Sequence, residues 1–181
     1  LKDDGSAVTW GRSNHGGDNF SVANKLSSGI KQVFSNVYSF AALKDDGSVV
    51  TWGDSRYGGH GSSVANQLSS GIKQIFSSGS AFAALGPDGS VVTWGSSNHG
   101  GDSSSVSSKL SSGVKQVIST DASFAALKKD GSVVTWGNSG YGGNSSSVAN
   151  KLSSGIKQIF STGYSFAALQ QDDSVVTWGN G

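Results

Sequence analysis

The chain has 181 residues and a formal net charge of +1, and it contains no cysteine, no methionine and a single proline. The lack of cysteine excludes a disulfide framework, a thiolate metal site and a cysteine nucleophile, and the small net charge argues against a general attraction to nucleic acid or acidic membranes. Hydrophobic residues still make up 35% of the chain, and no apolar run approaches the ~20 residues of a membrane span, so we expect a packed domain that neither binds nucleic acid nor crosses a membrane.

A 42-residue repeat organises the whole chain. A tryptophan within the tetrapeptide Val-Thr-Trp-Gly recurs at this interval, and the five copies are Trp10, Trp52, Trp94, Trp136 and Trp178. The repeat predicts one repeat domain over residues 1–181, with four full copies and an overhang. Because the chain opens in mid-pattern, we expect it to be part of a longer array.

Each repeat contains three strand signals. In the order of the chain, residues 40–43 and 49–52 are followed by residues 72–76, and all three segments are rich in β-branched, aromatic or small apolar residues. The dipeptide Asp46-Gly47 predicts a two-residue hairpin loop between the first two segments. That loop pairs Leu43 with Val50 and Ala41 with Trp52, which leaves both faces of the hairpin apolar. The hairpin must therefore be covered on both sides, either by sheets stacked around an axis or by solenoid layers.

The rest of each repeat is a glycine-rich loop followed by a serine-rich segment, as in residues 62–71. Val64 and Leu68 lie four residues apart, serine can cap a helix start and glycine can end it, so the segment is either a short helical turn or a fourth outer strand. Three or four strands in about 42 residues are typical of one propeller blade. We predict an all-β, propeller-like array with the five tryptophans in its core.

The repeats resemble those of the RCC1 family, the regulator of chromosome condensation. The resemblance is carried by an apolar strand at residues 156–160, a strand ending in Ala-Ala-Leu at 165–169, an acidic-glycine turn with a Trp-Gly strand at 129–137, and an aromatic, glycine-containing loop at 138–143. It implies a propeller fold for the whole chain. The family's namesake promotes nucleotide exchange on a small GTPase and docks on chromatin, but no residue here matches that activity specifically.

The loops after the Trp-Gly strands hold the candidate contact residues. They are His15, Asp18, Tyr57, His60, His99, Asp102, Tyr141 and Asn144. These side chains could bind a glycan or a small ligand, or contact another protein. The histidines have no second ligand at metal-binding spacing, so we expect neither a metal nor a cofactor.

The remaining polar residues do not indicate catalysis. Paired carboxylates such as Asp45 and Asp46 lie on a tight turn, whereas acid-base chemistry needs two carboxyls facing each other across a cleft. No Gly-x-Ser-x-Gly motif is present. One lysine per repeat follows the first residue of a strand and is expected to extend along the strand or line the axis; these are Lys31, Lys73, Lys115 and Lys157. We predict that the protein is not an enzyme.

Three functions remain in view. The first is a structural or interaction module that offers repeated loops for protein contacts or assembly; the second is a propeller lectin or small-ligand binder; the third is a GTPase-regulating scaffold by fold analogy alone. Residues 1–11 and 169–179 occupy the same position in the repeat, and a closed ring of four blades has room for only one of them. The other would be a spare strand, and because an open strand edge invites pairing, this favours assembly with further repeats or another chain. Two Asn-x-Ser triplets, at Asn19 and Asn144, and the lack of cysteine favour an extracellular or secretory location.

Overall fold

A computed structural model describes residues 1–180, and it contains four three-stranded antiparallel sheets. Each sheet is one blade and holds three strands that follow each other in the chain. Blade 1 is β1 (Ile30–Ser35), β2 (Ser39–Lys44) and β3 (Val49–Gly53); blade 2 is β4 (Gln74–Ser77), β5 (Ala81–Leu85) and β6 (Val91–Gly95). Blade 3 is β7 (Val114–Ser119), β8 (Ser123–Lys128) and β9 (Val133–Gly137); blade 4 is β10 (Ile156–Ser161), β11 (Ser165–Gln170) and β12 (Val175–Gly179). The predicted all-β, propeller-like array is confirmed.

The blades succeed each other around a common axis, with the first strand of each blade innermost. Strand β1 contacts β4, β4 contacts β7 and β7 contacts β10. The turns after these four strands surround one open depression of about 630 Å³. This radial arrangement, and not a solenoid stack, is what covers the apolar faces of the sheets where two blades meet.

The predicted hairpin register is wrong by one residue. Strand β2 pairs with β3 so that Leu43 faces Val49 and Phe40 faces Trp52. Gly47 has a φ of 76°, and its N–H donates to the carbonyl of Lys44, while Lys44 pairs with Ser48. The loop is therefore a three-residue type I turn with a glycine bulge, and not the two-residue loop that Asp-Gly suggested. The extra loop residue moves every side chain of β3 to the opposite face.

Both faces of the sheet are nevertheless buried, as the apolar pattern predicts. We define the forward face of a blade as the side towards the next repeat and the rear face as the side towards the previous one. In blade 1 the forward face carries Ala41 and Leu43, which pack with Phe82 and Trp94 of blade 2. The rear face carries the side chains of Phe40, Ala42, Val50 and Trp52. Each blade interface therefore joins one forward face to one rear face.

The tryptophans of the four blades close these interfaces. The indole N–H of Trp94 donates to the carbonyl of Gly58 at 3.1 Å, and its ring stacks on Phe82 with the ring centroids 5.2 Å apart. Gly58 has a φ of 101°, and a Cβ there would lie 2.7 Å from the ring of Phe82. Glycine is needed at this position because the loop backbone rests directly on the aromatic pair.

Trp10 departs from the predicted core. It is 83% exposed, whereas the other four tryptophans are buried. Residues 1–11 occupy the place of a third strand, but no strand of the described residues pairs with them and no sheet covers their outer side. The tetrapeptide is identical to the others, so the missing neighbours explain the exposure of Trp10.

The segment between one blade and the next is helical, and no fourth strand occurs in the four sheets formed by residues 1–180. Short 3-10 turns precede the blades, and the third of them continues into one α-helical turn. They span Phe20–Leu26, Ser62–Val64, Ser104–Val106 followed by α1 (Ser107–Leu110), and Ser146–Leu152. The leucine four residues after the valine of each segment is buried, so this apolar pair anchors the turns; in the second repeat Leu68 lies beyond the end of the turn.

Candidate functional site

Each loop that follows a Trp-Gly segment contains one short 3-10 turn. The turns are Ser13–His15, Ser55–Tyr57, Ser97–His99 and Ser139–Tyr141, and each ends at a glycine in the left-handed region. In the second turn the Asp54 carboxylate accepts a hydrogen bond from the N–H of Arg56, and Asn138 does the same for Gly140 in the fourth. Arg12 and Ser96 make no such bond in the other two turns, so the closing glycine is the local signal that all four share. It places the third residue of the turn, a histidine or a tyrosine, at the same position in every repeat.

Two of these side chains, His15 and Tyr57, meet Tyr38 from the turn between β1 and β2 at the start of the array, and we call these three residues the rim cluster. The rings of Tyr38 and Tyr57 stack with centroids 4.2 Å apart, and His15 lies 5.2 Å from Tyr38 at an angle of 57°. All three are half-buried, so part of each ring remains accessible. The structure thus brings together residues that are 19 and 23 positions apart.

A cation and an anion adjoin the rim cluster. The guanidinium of Arg56 lies 5.3 Å from the ring centroid of Tyr57 and forms an ion pair with Asp54 at 2.7 Å. Hydrogen bonding from Arg56 lowers the pKa of the Asp54 carboxyl. The cluster therefore combines stacked aromatic rings with a charged pair, a composition suited to amphipathic contacts.

A second stacked pair lies at the other end of the array. Tyr141 and Tyr164 have ring centroids 5.0 Å apart. Between the two clusters, His99 meets no aromatic ring, because the positions equivalent to Tyr38 are Ser80 and Ala122. Sequence reasoning missed Tyr38 and Tyr164 as site residues, although their shared phase in the repeat was a usable signal.

The other predicted contact residues lie outside these clusters. Asp18, Asp102 and Asn144 each accept a hydrogen bond from the backbone N–H two residues later, at the start of the helical segment. Hydrogen bonds from Ser104 lower the pKa of Asp102. His60 lines a separate groove between two helical segments, together with Lys25. These three residues therefore form the turn that leads into the helical segment.

The paired carboxylates serve the hairpin turns. Asp46 accepts hydrogen bonds from the N–H and the hydroxyl of Ser48 at 2.8 and 2.6 Å, and these bonds lower its pKa. Asp130 and Asp172 repeat the arrangement in blades 3 and 4. No group of three histidines and carboxylates that could hold a metal ion occurs within residues 1–180.

The axial depression is lined by the same turn of each blade. The third residue of each turn donates its N–H to the carbonyl of the same residue in the next blade: Val37 to Gly79 at 3.2 Å, Gly79 to Asp121 at 2.7 Å, and Asp121 to Gly163 at 3.0 Å. We call this series the axial ladder.

The repeated lysines are absent from the residues that line the axial depression, which corrects the expectation that they line the axis. They are exposed, and two of them reach the turns between the second and third strands of their blades. The ammonium group of Lys73 donates to the carbonyl of Pro87, and that of Lys157 pairs with Asp173 at 2.6 Å.

Comparison with known proteins shows the fold. No protein-family model and no curated protein matches the sequence. Among solved structures, the ectodomain of the receptor kinase CR4 from Physcomitrella patens aligns with a TM-score of 0.56 at 16% identity over 100% of this chain and 45% of its own. Prp20p from Saccharomyces cerevisiae aligns with a TM-score of 0.56 at 18% identity, over 94% of this chain and 52% of its own. Yeast RCC1 (Prp20), in its structure with Kap60, aligns with a TM-score of 0.57 at 17% identity, over 83% of this chain and 43% of the matched chain.

The chain thus spans about half the length of the solved structures that it matches. At this level of identity the alignments establish the fold alone. It is β-propeller-like, and RCC1 shares it. Within residues 1–180, no helix has both the length and the apolar character needed to cross a bilayer.

Proposed function

We propose that this chain is a non-enzymatic interaction module built from RCC1-like repeats, and that it contacts other proteins through the loops at its aromatic rim. The observation that carries the proposal is the rim cluster. Tyrosine and arginine are enriched at the centres of protein interfaces, where partly exposed rings supply contact area at low entropic cost. The partner's surface should combine an apolar patch with a polar edge.

The distribution of the rim aromatics supports contacts at two places and not at one central pocket. His15, Tyr38 and Tyr57 lie at one end of the array, Tyr141 and Tyr164 lie at the other, and Ser80 and Ala122 separate them. Two separate weak contacts to one partner raise the overall affinity through effective concentration. The solved structures whose names record binding to Kap60, Gsp1p or histones are RCC1 proteins, and such binding is a precedent for this fold only.

The absence of catalysis is part of the proposal. The carboxylates of Asp46, Asp130 and Asp172 are engaged by the serines of their own turns. A general base works best when its pKa lies near the operating pH, and the serine hydrogen bonds lower the pKa of these three carboxyls.

A glycan or small ligand at the rim cluster is the second candidate. It is favoured by the stacked pair of Tyr38 and Tyr57 with Arg56 beside it, since sugars stack on aromatic rings and bind to charged side chains through their hydroxyls. The two rings already stack on each other, which leaves less ring surface for a sugar. For this reason we place protein contacts first.

One experiment separates the two candidates. The full chain and the variants Tyr38→Ser and Tyr57→Ser are cross-linked to proteins of the native source, and each is also applied to a glycan array. Phe20→Ser is the matched control, because Phe20 is 90% exposed and lies outside the rim cluster. We expect protein cross-links that both tyrosine variants lose and the control retains. Glycan binding that depends on the same tyrosines, without protein cross-links, would replace the first proposal with the second.

A further inference from the structure

Two grooves beside the third strands of blades 1 and 3 are lined by equivalent residues. The first, which we call outer groove 1, has a volume of about 590 Å³ and lies between the helical segments before and after blade 1. The second, outer groove 3, has a volume of about 410 Å³ and lies at the same place in blade 3. Each residue that lines outer groove 3 has its equivalent two repeats earlier in outer groove 1. Because blade 3 lies between two complete blades, the groove belongs to the interior repeats.

The inner surface of each groove is apolar. The apolar residues are Val22, Val49, Val50 and Leu68 in outer groove 1, and Val106, Val133, Val134 and Leu152 in outer groove 3. Val22, Val49 and their equivalents are only half-buried, so part of each side chain remains accessible. Apolar surface of this kind gains free energy when a ligand removes it from water.

Two lysines from different elements line each groove. In outer groove 1 they are Lys25 of the helical segment and Lys44 at the end of β2, and in outer groove 3 they are Lys109 and Lys128. Lys44 and Lys128 extend in the same way, because their Cε atoms lie 3.5 and 3.6 Å from where a Cβ would stand on the glycine before the first strand of the blade. Within residues 1–180, none of the four ammonium groups forms an ion pair or a hydrogen bond.

The described residues that line the two grooves include no carboxylate. The nearby acidic groups belong to the hairpin turns, where Asp46 follows Lys44 by two positions and Asp130 is its equivalent. Hydrogen bonds from Ser48 and, to a smaller degree, the charge of Lys44 lower the pKa of Asp46. Asp46 and Asp130 each accept a serine hydroxyl at 2.6 Å and form no ion pair with the groove lysines. The positive charges of the grooves are therefore open to a ligand.

Most of the serine hydroxyls in the grooves are used by the protein itself. Ser48 and Ser132 donate to the aspartates of their turns, and Ser69 and Ser153 donate to backbone carbonyls at 2.8 Å. Recognition by the grooves therefore depends on ammonium groups next to apolar surface. This combination is complementary to carboxylates that alternate with apolar side chains.

We propose that outer grooves 1 and 3 bind acidic peptide segments of another protein, one segment in each groove. The paired lysines contact the carboxylates of the segment, and the half-buried valines cover its apolar side chains. Lysine is a point charge on a flexible stem, so the grooves recognise the charge pattern of the segment. Two grooves on one chain raise the affinity for a partner that carries two such segments. The proposal concerns a surface other than the rim cluster and does not depend on it.

Blades 2 and 4 lack the lysine pair and supply an internal comparison. At blade 2 the two positions hold Gln67 and Gly86. At blade 4 Lys151 keeps one charge, while the amide of Gln170 donates to the carbonyl of Lys151 and accepts the hydroxyl of Ser174. We therefore expect two peptide sites per chain and not four.

Isothermal titration calorimetry of the full chain tests the proposal. The probe is a peptide of alternating glutamate and valine residues, and the control peptide has glutamine in place of each glutamate. We expect two bound probe peptides per chain, and binding of the control peptide at least tenfold weaker. Lys25→Gln with Lys44→Gln should remove one of the two sites, and the same change of both lysines in outer groove 3 should remove the other. Lys31→Gln with Lys115→Gln is the matched control, because it removes the same charge from exposed lysines outside the grooves and should keep both sites.

A gain of binding at blade 2 supplies an independent measurement. Gln67→Lys with Gly86→Lys places the lysine pair there and should raise the number of bound peptides from two to three. A Cβ at position 86 would lie 2.5 Å from the hydroxyl oxygen of Ser90. That hydroxyl must turn towards Asp88, as its equivalents in blades 1 and 3 turn towards the aspartates of their turns.

Three results would overturn the proposal. The first is two bound peptides on both lysine-pair variants while circular dichroism shows that they are folded, and the second is equal binding of the glutamine peptide. The third is displacement of the probe by inorganic phosphate or a short DNA duplex at lower concentration than by unlabelled peptide, which would assign the grooves to phosphate groups. Tyr38→Ser should leave the titration unchanged, so a failure of the rim cluster and a failure of the grooves are distinguishable.

Discussion

Trp94 and Trp10 occupy the same tetrapeptide and end in opposite environments. Trp94 is 3% exposed, with Phe82 stacked on it and Gly58 accepting its indole N–H. Trp10 is 83% exposed. The comparison teaches that a repeat motif specifies a side chain's position within its strand, while the neighbouring blades decide whether that position is buried.

The largest expected effect is at the interior tryptophan. Trp94→Ala should lower the free energy of unfolding by about 3–5 kcal/mol, because it removes a fully buried indole and leaves a cavity. Trp10→Ala should change it by less than about 0.5 kcal/mol, as for an exposed residue. Urea titration of both variants, followed by circular dichroism, checks the contrast, and equal losses would show that burial does not explain it.

The hairpin turns provide the next comparison, between an interior blade and the last one. Gly131→Asp should destabilise the chain by about 2–4 kcal/mol, because a Cβ would lie 2.8 Å from the nitrogen of Gly155 at a φ of 78°. Asp173 already tolerates a φ of 67° in blade 4. Asp173→Gly should stabilise the chain by about 1 kcal/mol through relief of left-handed strain, measured as a rise in the thermal midpoint; a fall would indicate that the ion pair with Lys157 matters more.

A smaller difference in stability is expected between alanine substitutions at two glycines. Gly58 closes the 3-10 turn after β3, and Gly11 follows Trp10 directly. Gly58→Ala places a Cβ 2.7 Å from Phe82, whereas a Cβ on Gly11 meets nothing within 4 Å. Both have positive φ and share the left-handed cost, so Gly58→Ala should be worse by the overpacking alone, about 1–3 kcal/mol. Chemical denaturation of the two variants measures this, and similar losses would mean that the backbone conformation dominates.

The smallest effect concerns acid. The carboxyl pKa values of Asp4 and Asp46 are lowered by the serine hydroxyl and N–H two residues later. A folded-state pKa below the unfolded value gives stability that is present above about pH 4 and lost as the pH falls through the folded-state pKa.

Asp46→Asn should therefore flatten the dependence of the thermal midpoint on pH below about pH 4. Asp4→Asn should do so less, because residues 1–11 add little to the global fold. A steeper acid dependence in either variant would reverse the sign that we assign to these turns.

Much of the fold was predictable because its signals are local and recur. Alternating apolar residues on both faces of residues 40–52 predicted a sheet that is covered twice, and Val64 with Leu68 was consistent with a helical turn. The hairpin register was not predictable from Asp46-Gly47, because that dipeptide suits both a two-residue loop and a three-residue loop with a glycine bulge.

The candidate site was only partly predictable. The recurring loop position indicated His15, Tyr57, His99 and Tyr141, but it did not show that Tyr38 lies between His15 and Tyr57 and stacks on Tyr57. Asp18, Asp102 and Asn144 recur at one position of the repeat, and only their hydrogen bonds showed that they form the turns leading into the helical segments.

The sequence by itself determined the period, the three strands of each repeat, the turns and the need for cover on both faces, because strand propensity, turn chemistry and apolar alternation act over a few neighbouring residues. Only the tertiary structure decided which tryptophans are buried and which aromatic rings meet at the rim. Those outcomes depend on blades that lie 42 residues apart in the chain, and identical repeats carry no local signal of whether a neighbour is present.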